Sequence, residues 1–335
     1  MPDSPSPHIT PAPGITTSVL DLIGNTPMLQ VRKFDTGLCN LYLKLENQNP
    51  GGSIKDRMAL NMVEAAERDG KLKPGGTIIE ATAGNTGLSL ALIAQQKGYR
   101  LILVIPDKMS QEKIFHLRAM GVEVIITPSN VTYDHPDYYQ NKARSLAASM
   151  AGAFYIDQFN NPANAEAHER TTGPEIWEQM EHKVDAVICG SGSAGTILGL
   201  GRFFRARSPD TEIILADPKG SVLGPYVQTG VQPKAGSWLI EGIGKEFVSP
   251  NLDLSLISQA IIVDDIESIR TVRELLLKEG VLGGSSTGTL LAAALRYCRQ
   301  QKTPKRVVTF VCDSGSKYLS KIFNPKWLKD NGIPN

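Results

Sequence analysis

From residue 41 to residue 311 the chain repeats one pattern. A short run of apolar, often β-branched residues is followed by a longer stretch whose apolar positions recur every three or four residues. The short runs predict strands at Leu41–Leu45, Thr77–Glu80, Leu101–Ile105, Val122–Ile126, Phe154–Ile156, Val184–Cys189, Glu212–Ala216, Ala260–Val263 and Arg306–Val311. The spaced stretches predict helices at Ile54–Arg68, Leu88–Lys97, Gln111–Met120, Tyr138–Met150, Ala165–Met180, Thr196–Ala206, Ile266–Lys278 and Leu290–Gln300. Strands that are apolar along their length are buried on both faces, and their alternation with amphipathic helices describes parallel sheets covered by helices. The expected fold class is α/β, with two domains of mostly parallel, twisted sheet. No short-period repeat is present.

Such sheets bind ligands beyond the carboxyl ends of their strands, so the loops from strand to helix come first. The turn 47–52 leads into Ser53-Ile54-Lys55-Asp56-Arg57, with Ser53 the expected N-cap and Lys55 on the first helical turn. An ammonium is disfavoured at the positive end of a helix dipole, and a neutral amine or imine less so. The loop Thr82-Ala83-Gly84-Asn85-Thr86-Gly87 offers backbone N–H groups and hydroxyls at a helix start, which either hold a carboxylate or only cap the turn. The loop Gly190-Ser191-Gly192-Ser193-Ala194-Gly195-Thr196 fits a phosphate cradle. Its glycines also fit GxGxxG at Gly190, Gly192 and Gly195, with Asp217 about 20 residues on, so a nicotinamide dinucleotide site stays open at this point. The loop Gly283–Thr289 carries hydroxyls that either cap the next helix or meet a heteroaromatic nitrogen; a neutral partner leaves that nitrogen unprotonated and suits elimination chemistry.

Composition narrows the classes. The chain has 335 residues, 41% hydrophobic and 21% charged, with a formal charge of +1, which gives no electrostatic footprint for nucleic acid or an anionic membrane. No apolar stretch is long enough for a span and no secretory core opens the chain, so a cytoplasmic protein is expected. Cys39, Cys189, Cys298 and Cys312 have no ligand spacing, and His8, His116, His135, His168 and His182 are scattered, so no metal is expected. Prolines crowd residues 1–14, and residues 1–18 read as a disordered tail with order beginning near Val19. A reactive lysine, a carboxylate loop, a phosphate cradle and a hydroxyl-bearing loop together favour pyridoxal phosphate over a dinucleotide.

The chain from Leu22-Ile23-Gly24-Asn25-Thr26-Pro27-Met28 to Cys312-Asp313-Ser314-Gly315-Ser316-Lys317-Tyr318-Leu319 resembles the tryptophan-synthase-like β-family, or fold type II, of pyridoxal-phosphate enzymes. The specific motifs are Gly52-Ser53-Ile54-Lys55-Asp56-Arg57, Thr82–Gly87 and Glu241-Gly242-Ile243-Gly244. The resemblance implies that Lys55 holds the cofactor through an imine and that Asn85 bonds its phenolic oxygen. It gives the phosphate to Gly192, Ser193, Ala194, Gly195 and Thr196, and faces Ser285 to the pyridine nitrogen. Thr82, Ala83, Asn85, Thr86 and Gln158 would receive the substrate carboxylate, with Gly242 at the entrance. It implies β-replacement on serine or O-acetylserine through an aminoacrylate. The stretch 217–223 is similar to the cystathionine β-synthases, whereas Gln158-Phe159 is similar to the cysteine synthases, since the former usually carry tyrosine at Phe159. Ala81, Ala83 and the pair Ser193-Ala194 depart from the family pattern. Further expectations are a homodimer, a smaller mobile domain over 48–157 carrying Lys55 and Asn85, and a larger one of 19–47 plus 158–335. Neither haem nor adenosyl-methionine control is expected.

Overall fold

The computed structural model describes residues 14–334, apart from 83, 108, 110, 133 and 249–251. Most of the expected tail, and Ala83 of the expected carboxylate loop, lie outside the described residues.

The larger sheet has six strands, β1 (Met28–Gln30), β2 (Asn40–Lys44), β7 (Ala186–Cys189), β8 (Glu212–Pro218), β9 (Gln259–Val263) and β10 (Arg306–Phe310), in the order β1-β2-β10-β7-β8-β9. The smaller has β3 (Thr77–Glu80), β4 (Arg100–Pro106), β5 (Glu123–Thr127) and β6 (Ala153–Tyr155), in the order β5-β4-β3-β6. Every pairing is parallel except β1 with β2. All nine expected strands occur, with ends shifted by at most two residues. The three-residue β1 is too short to carry an alternation of its own.

Strand order locates the crevices. In the smaller sheet the chain runs from β3 through β4 to β5, then crosses back to place β6 on the other side of β3. In the larger sheet β7, β8 and β9 run outward one way, while β10 lies on the other side of β7. The loops after β3 and β6, and those after β7 and β10, therefore diverge and leave space at the carboxyl ends.

The helices are α1 (Lys55–Arg68), α2 (Asn85–Lys97), α3 (Gln111–Ala119), α4 (Tyr139–Ser149), α5 (Pro162–Ala167), α6 (Gly173–Gln179), α7 (Gly195–Arg207), α8 (Leu223–Thr229), α9 (Asp265–Glu279), α10 (Ser285–Gln300) and α11 (Pro325–Asp330). The single helix expected over Ala165–Met180 is instead α5 and α6 joined by a π turn at His168–Thr172. Three functional loops are shorter than expected because α2, α7 and α10 begin within them, at Asn85, Gly195 and Ser285. Ser53 is not the N-cap of α1: Ile54 holds that position, and Ser53 Oγ accepts the Lys55 N–H at 3.3 Å.

The foot of α1 joins α6 and the end of β2 through a buried charge cluster. Arg57 donates through Nε and Nη2 to both oxygens of Glu46 at 2.8 Å, and through Nη1 and Nη2 to Glu175 at 2.6 and 2.7 Å. Lys44 donates to Glu175 at 2.8 Å, to Gln179 at 2.8 Å and to the Thr26 carbonyl at 2.7 Å. Two cations thus face two carboxylates. Burial opposes ionisation of Glu175, but the hydrogen bonds and charge of Arg57 and Lys44 prevail and hold its carboxyl at about 2. This folded value lies below the unfolded one of about 4.3, so the contribution is full above that pH and is lost as pH falls towards 2. Glu175→Gln is expected to flatten the pH dependence of the unfolding midpoint over this acid window; an unchanged slope would place the acid sensitivity elsewhere.

Candidate active site

A cavity opens between the carboxyl ends of β3, β7 and β10. Lys55, Asn85, Gly192, Ser193, Gly195, Thr196 and Gly242 border it, so the structure brings together most of the residues expected from the sequence. Thr82, Thr86, Gln158, Ala194 and Ser285 do not border it.

Lys55 is fixed by stitching the turn before α1 to the loop after β10. Ile54 donates to the Cys312 carbonyl at 2.9 Å, and Ser314 donates to that of Gly52 at 3.2 Å. Asp56 closes the turn from within, accepting the Gly51 N–H at 2.6 Å and the Ser89 hydroxyl at 2.5 Å. Burial of the Lys55 amine lowers its pKa, an effect partly offset by Cys312 and Asp313. A neutral amine is the nucleophilic form of lysine.

Asn85, the first residue of α2, has its amide orientation set by two partners. Nδ2 donates to Asp313 at 2.8 Å, and Oδ1 accepts from Lys317 at 2.6 Å. An amide nitrogen has two hydrogens, so one remains for an oxygen in the cavity. Next to it the Thr86 hydroxyl donates to Gln158 Oε1 at 2.8 Å, across the divergence of β3 from β6. The Thr82 hydroxyl accepts the Gly84 N–H at 3.2 Å, bending the turn before the helix.

After β7 the chain enters α7, whose first N–H groups have no intrahelical acceptor and face incoming anions. The glycines here are demanded by close approach. A Cβ on Gly192 would lie 2.3 Å from the Gly242 carbonyl oxygen, and one on Gly195 1.8 Å from Asn164 Oδ1. Ala194 takes the left-handed conformation, with φ +67°, at the N-cap of α7. Asn164 donates to Ser193 Oγ at 3.0 Å, and His168 Nε2 meets Thr196 Oγ1 at 3.3 Å. Burial, with the charges of Lys55 and Arg57, drives the pKa of His168 well down, so the ring that holds Thr196 is neutral. The dinucleotide alternative fails at Asp217, which is buried rather than presented to a ligand. Its carboxylate accepts the Gly224 N–H at 2.7 Å beside the start of α8.

Ser285, at the start of α10, is buried and keeps its hydroxyl hydrogen free to donate. Its hydroxyl accepts the N–H of Glu241 at 3.0 Å, and the neighbouring Ser286 borders the cavity. The sequence reading also missed Asp313, Tyr318 and Glu241 in the cavity wall, and Lys317 behind Asn85. Asp313 Oδ2 accepts from Asn85 and, at 2.8 Å, from Tyr318, while burial raises the pKa of the carboxyl. Its signal was available, since the loop after β10 lies at the same carboxyl edge as the three loops singled out. Among the described residues no cluster could hold a metal, and no helix is long and apolar enough to cross a membrane.

A sheltered amine beside an anion cradle and an oriented amide defines an enzyme that captures a phosphorylated aldehyde. A glycine loop at a helix start, with no room for a Cβ at Gly192 or Gly195, and a buried amine of lowered pKa are chemistry that fits pyridoxal phosphate. A family profile described as "Pyridoxal-phosphate dependent enzyme" matches residues 19–313, and the chain belongs to that family. The cystathionine beta-synthase of Apis mellifera is 40% identical over 322 residues, which cover 95% of this chain and 64% of the bee protein. The chain thus spans less than two thirds of that relative. Cysteine synthase 1 of Emericella nidulans is 39% identical over 335 residues, 98% of this chain and 90% of the fungal protein. Among solved structures, O-ureido-L-serine synthase superposes with a TM-score of 0.86 at 32% identity, covering 93% of this chain and 96% of that one.

Proposed function

We propose that this enzyme performs β-replacement on serine or O-acetylserine, with homocysteine as the acceptor and cystathionine as the product. The observation that carries the proposal is that Lys55 borders one cavity together with Asn85 and the glycine loop Gly192–Thr196.

In this reading Lys55 carries the cofactor, Asn85 donates to its ring oxygen, and Gly192, Ser193, Gly195 and Thr196 hold its phosphate with the α7 N-terminus. Ser286 borders the cavity and Ser285 stands behind it, so we assign the ring nitrogen to this pair of hydroxyls. The start of α2, with Thr82, Thr86 and Gln158 around it, receives the substrate carboxylate. Bound pyridoxal phosphate supplies an electron sink for the charge left at Cα. Once displaced by the substrate amine, Lys55 Nζ is a free base that takes the α-proton. The Cβ–O bond then breaks, a Cβ–S bond forms to the thiol, and water or acetate leaves.

The second reading is synthesis of cysteine from O-acetylserine and sulfide. Phe159 favours it, because a phenyl ring cannot donate a proton to a hydroxide leaving group. The relatives are named for cystathionine, cysteine and O-ureidoserine synthesis, which agree on the replacement and differ in the acceptor. A competition assay with O-acetylserine and equal homocysteine and sulfide, products counted by mass spectrometry, separates the two. Cystathionine is expected to dominate. Mostly cysteine transfers the assignment, and no amino-acid product rejects β-replacement.

A further inference from the structure

Lys245 is a cation that the proposed reaction does not use. It ends the segment that lies along the loop after β7, where Gly244 donates to the Ser191 carbonyl at 3.0 Å. Its ammonium stands 4.0 Å from the centre of the Phe159 ring and 5.6 Å from that of Phe247. Among the described residues no carboxylate forms a salt bridge with it, and its Nζ makes no hydrogen bond. Burial first, then repulsion from Lys55, brings its pKa down to about 8, so it is charged at neutral pH and within electrostatic reach of the reacting lysine.

The space beside it is separate from the cofactor cavity. A second, narrow gap, wide enough for about one water, is bounded by Lys245, Phe159, Leu223, Leu252 and the loop residues Ser191 to Ala194. Gly192 and Ser193 border both the cavity and the gap, whereas Lys245 borders only the gap. Phe159 directly follows Gln158, whose side chain is bonded to Thr86. The Phe159–Lys245 pair thus flanks the loop 191–194, one residue along the chain from the Gln158 that is bonded to Thr86. An ammonium resting on a ring face gains modestly, and a charge-assisted hydrogen bond to an oxyanion gains more.

We propose that Lys245, braced on Phe159, is the subsite for a second oxyanion carried by a substrate: the phosphate of O-phosphoserine as donor, or the carboxylate of a thiol amino acid as acceptor. The inference rests on the β-replacement reading and names the substrate class it takes.

The test is steady-state kinetics of Lys245→Met holoenzyme with matched pairs. One pair is O-phosphoserine against O-acetylserine, both with sulfide; the other is homocysteine against 3-aminopropane-1-thiol, both with O-acetylserine. A donor subsite raises the KM ratio of the first pair by about tenfold or more, and an acceptor subsite raises that of the second. Lys245→Arg, which keeps the charge, is expected to preserve the ratio that the methionine variant changes. Two unchanged ratios overturn the proposal. So does a weakened affinity of the apoenzyme for pyridoxal phosphate with that for pyridoxal unaltered, read by absorbance titration, which would give Lys245 to the cofactor phosphate. If the unsubstituted enzyme turns over none of the pairs, the underlying β-replacement reading is what has failed.

Discussion

Lys55→Ala is expected to leave no measurable turnover. On the proposed reading the substitution removes the attachment point of the cofactor and the base for the α-proton together, since that reading gives both roles to one nitrogen. Loss of a general base alone costs about 10²–10⁴-fold, and the loss of covalent anchoring adds to it. Neither Lys245 nor Lys317 offers a substitute: the first lies against Phe159, and the second is bonded to Asn85 and to the carbonyls of Gly51 and Gly52. Product formation by mass spectrometry checks the result, with circular dichroism to establish that the variant folds. Activity within tenfold of the unsubstituted enzyme would move the chemistry to another residue.

Arg57→Ala is expected to lower stability by about 3–5 kcal/mol, because it strands buried carboxylates without their cation. Glu46 has no exposed surface and loses two charge-assisted bonds, while Glu175 keeps Lys44 and the Asn25 N–H. Denaturant unfolding with an unchanged m-value is the measurement. A loss below about 1 kcal/mol would mean that water or a rearranged side chain satisfies the carboxylates. The effect reaches beyond stability, since Arg57 lies two residues from Lys55 on the same first turn.

What the sequence conveyed followed from how local each signal was. The strand Ala186–Cys189 is buried at every residue, and such an unbroken apolar run is readable without knowledge of neighbours. The glycine loops were legible too, because small residues between strand and helix signal an anion site whatever surrounds them. Tertiary placement was not legible. Ser285 and Ser286 are adjacent and alike in chemistry, and only the fold shows that Ser285 accepts the Glu241 N–H while Ser286 borders the cavity. Asp313 is an ordinary aspartate in sequence; its role comes from strand order, which sets β10 beside β7 at the divergence point. The start of α2 at Asn85 escaped because Asn, Thr and Gly are weak helix formers, overridden here by packing. The interruption between α5 and α6 left no trace, since a single π turn carries no residue signature of its own and only the backbone hydrogen bonds reveal it.

That interruption sets how two distant tasks are met by one stretch of chain. A π turn holds one residue more than the α-helical turn it replaces. Each residue of an α-helix advances the direction of its side chains by about 100°. Deleting one residue from the turn 168–172 would swing α6 by that angle against α5, carrying Glu175 off Arg57 and Lys44 while His168 stayed under Thr196. The turn works as a phase adjuster: it lets the helix face that meets Thr196 and the face that neutralises the foot of α1 be spelled in consecutive residues, although their directions are out of step.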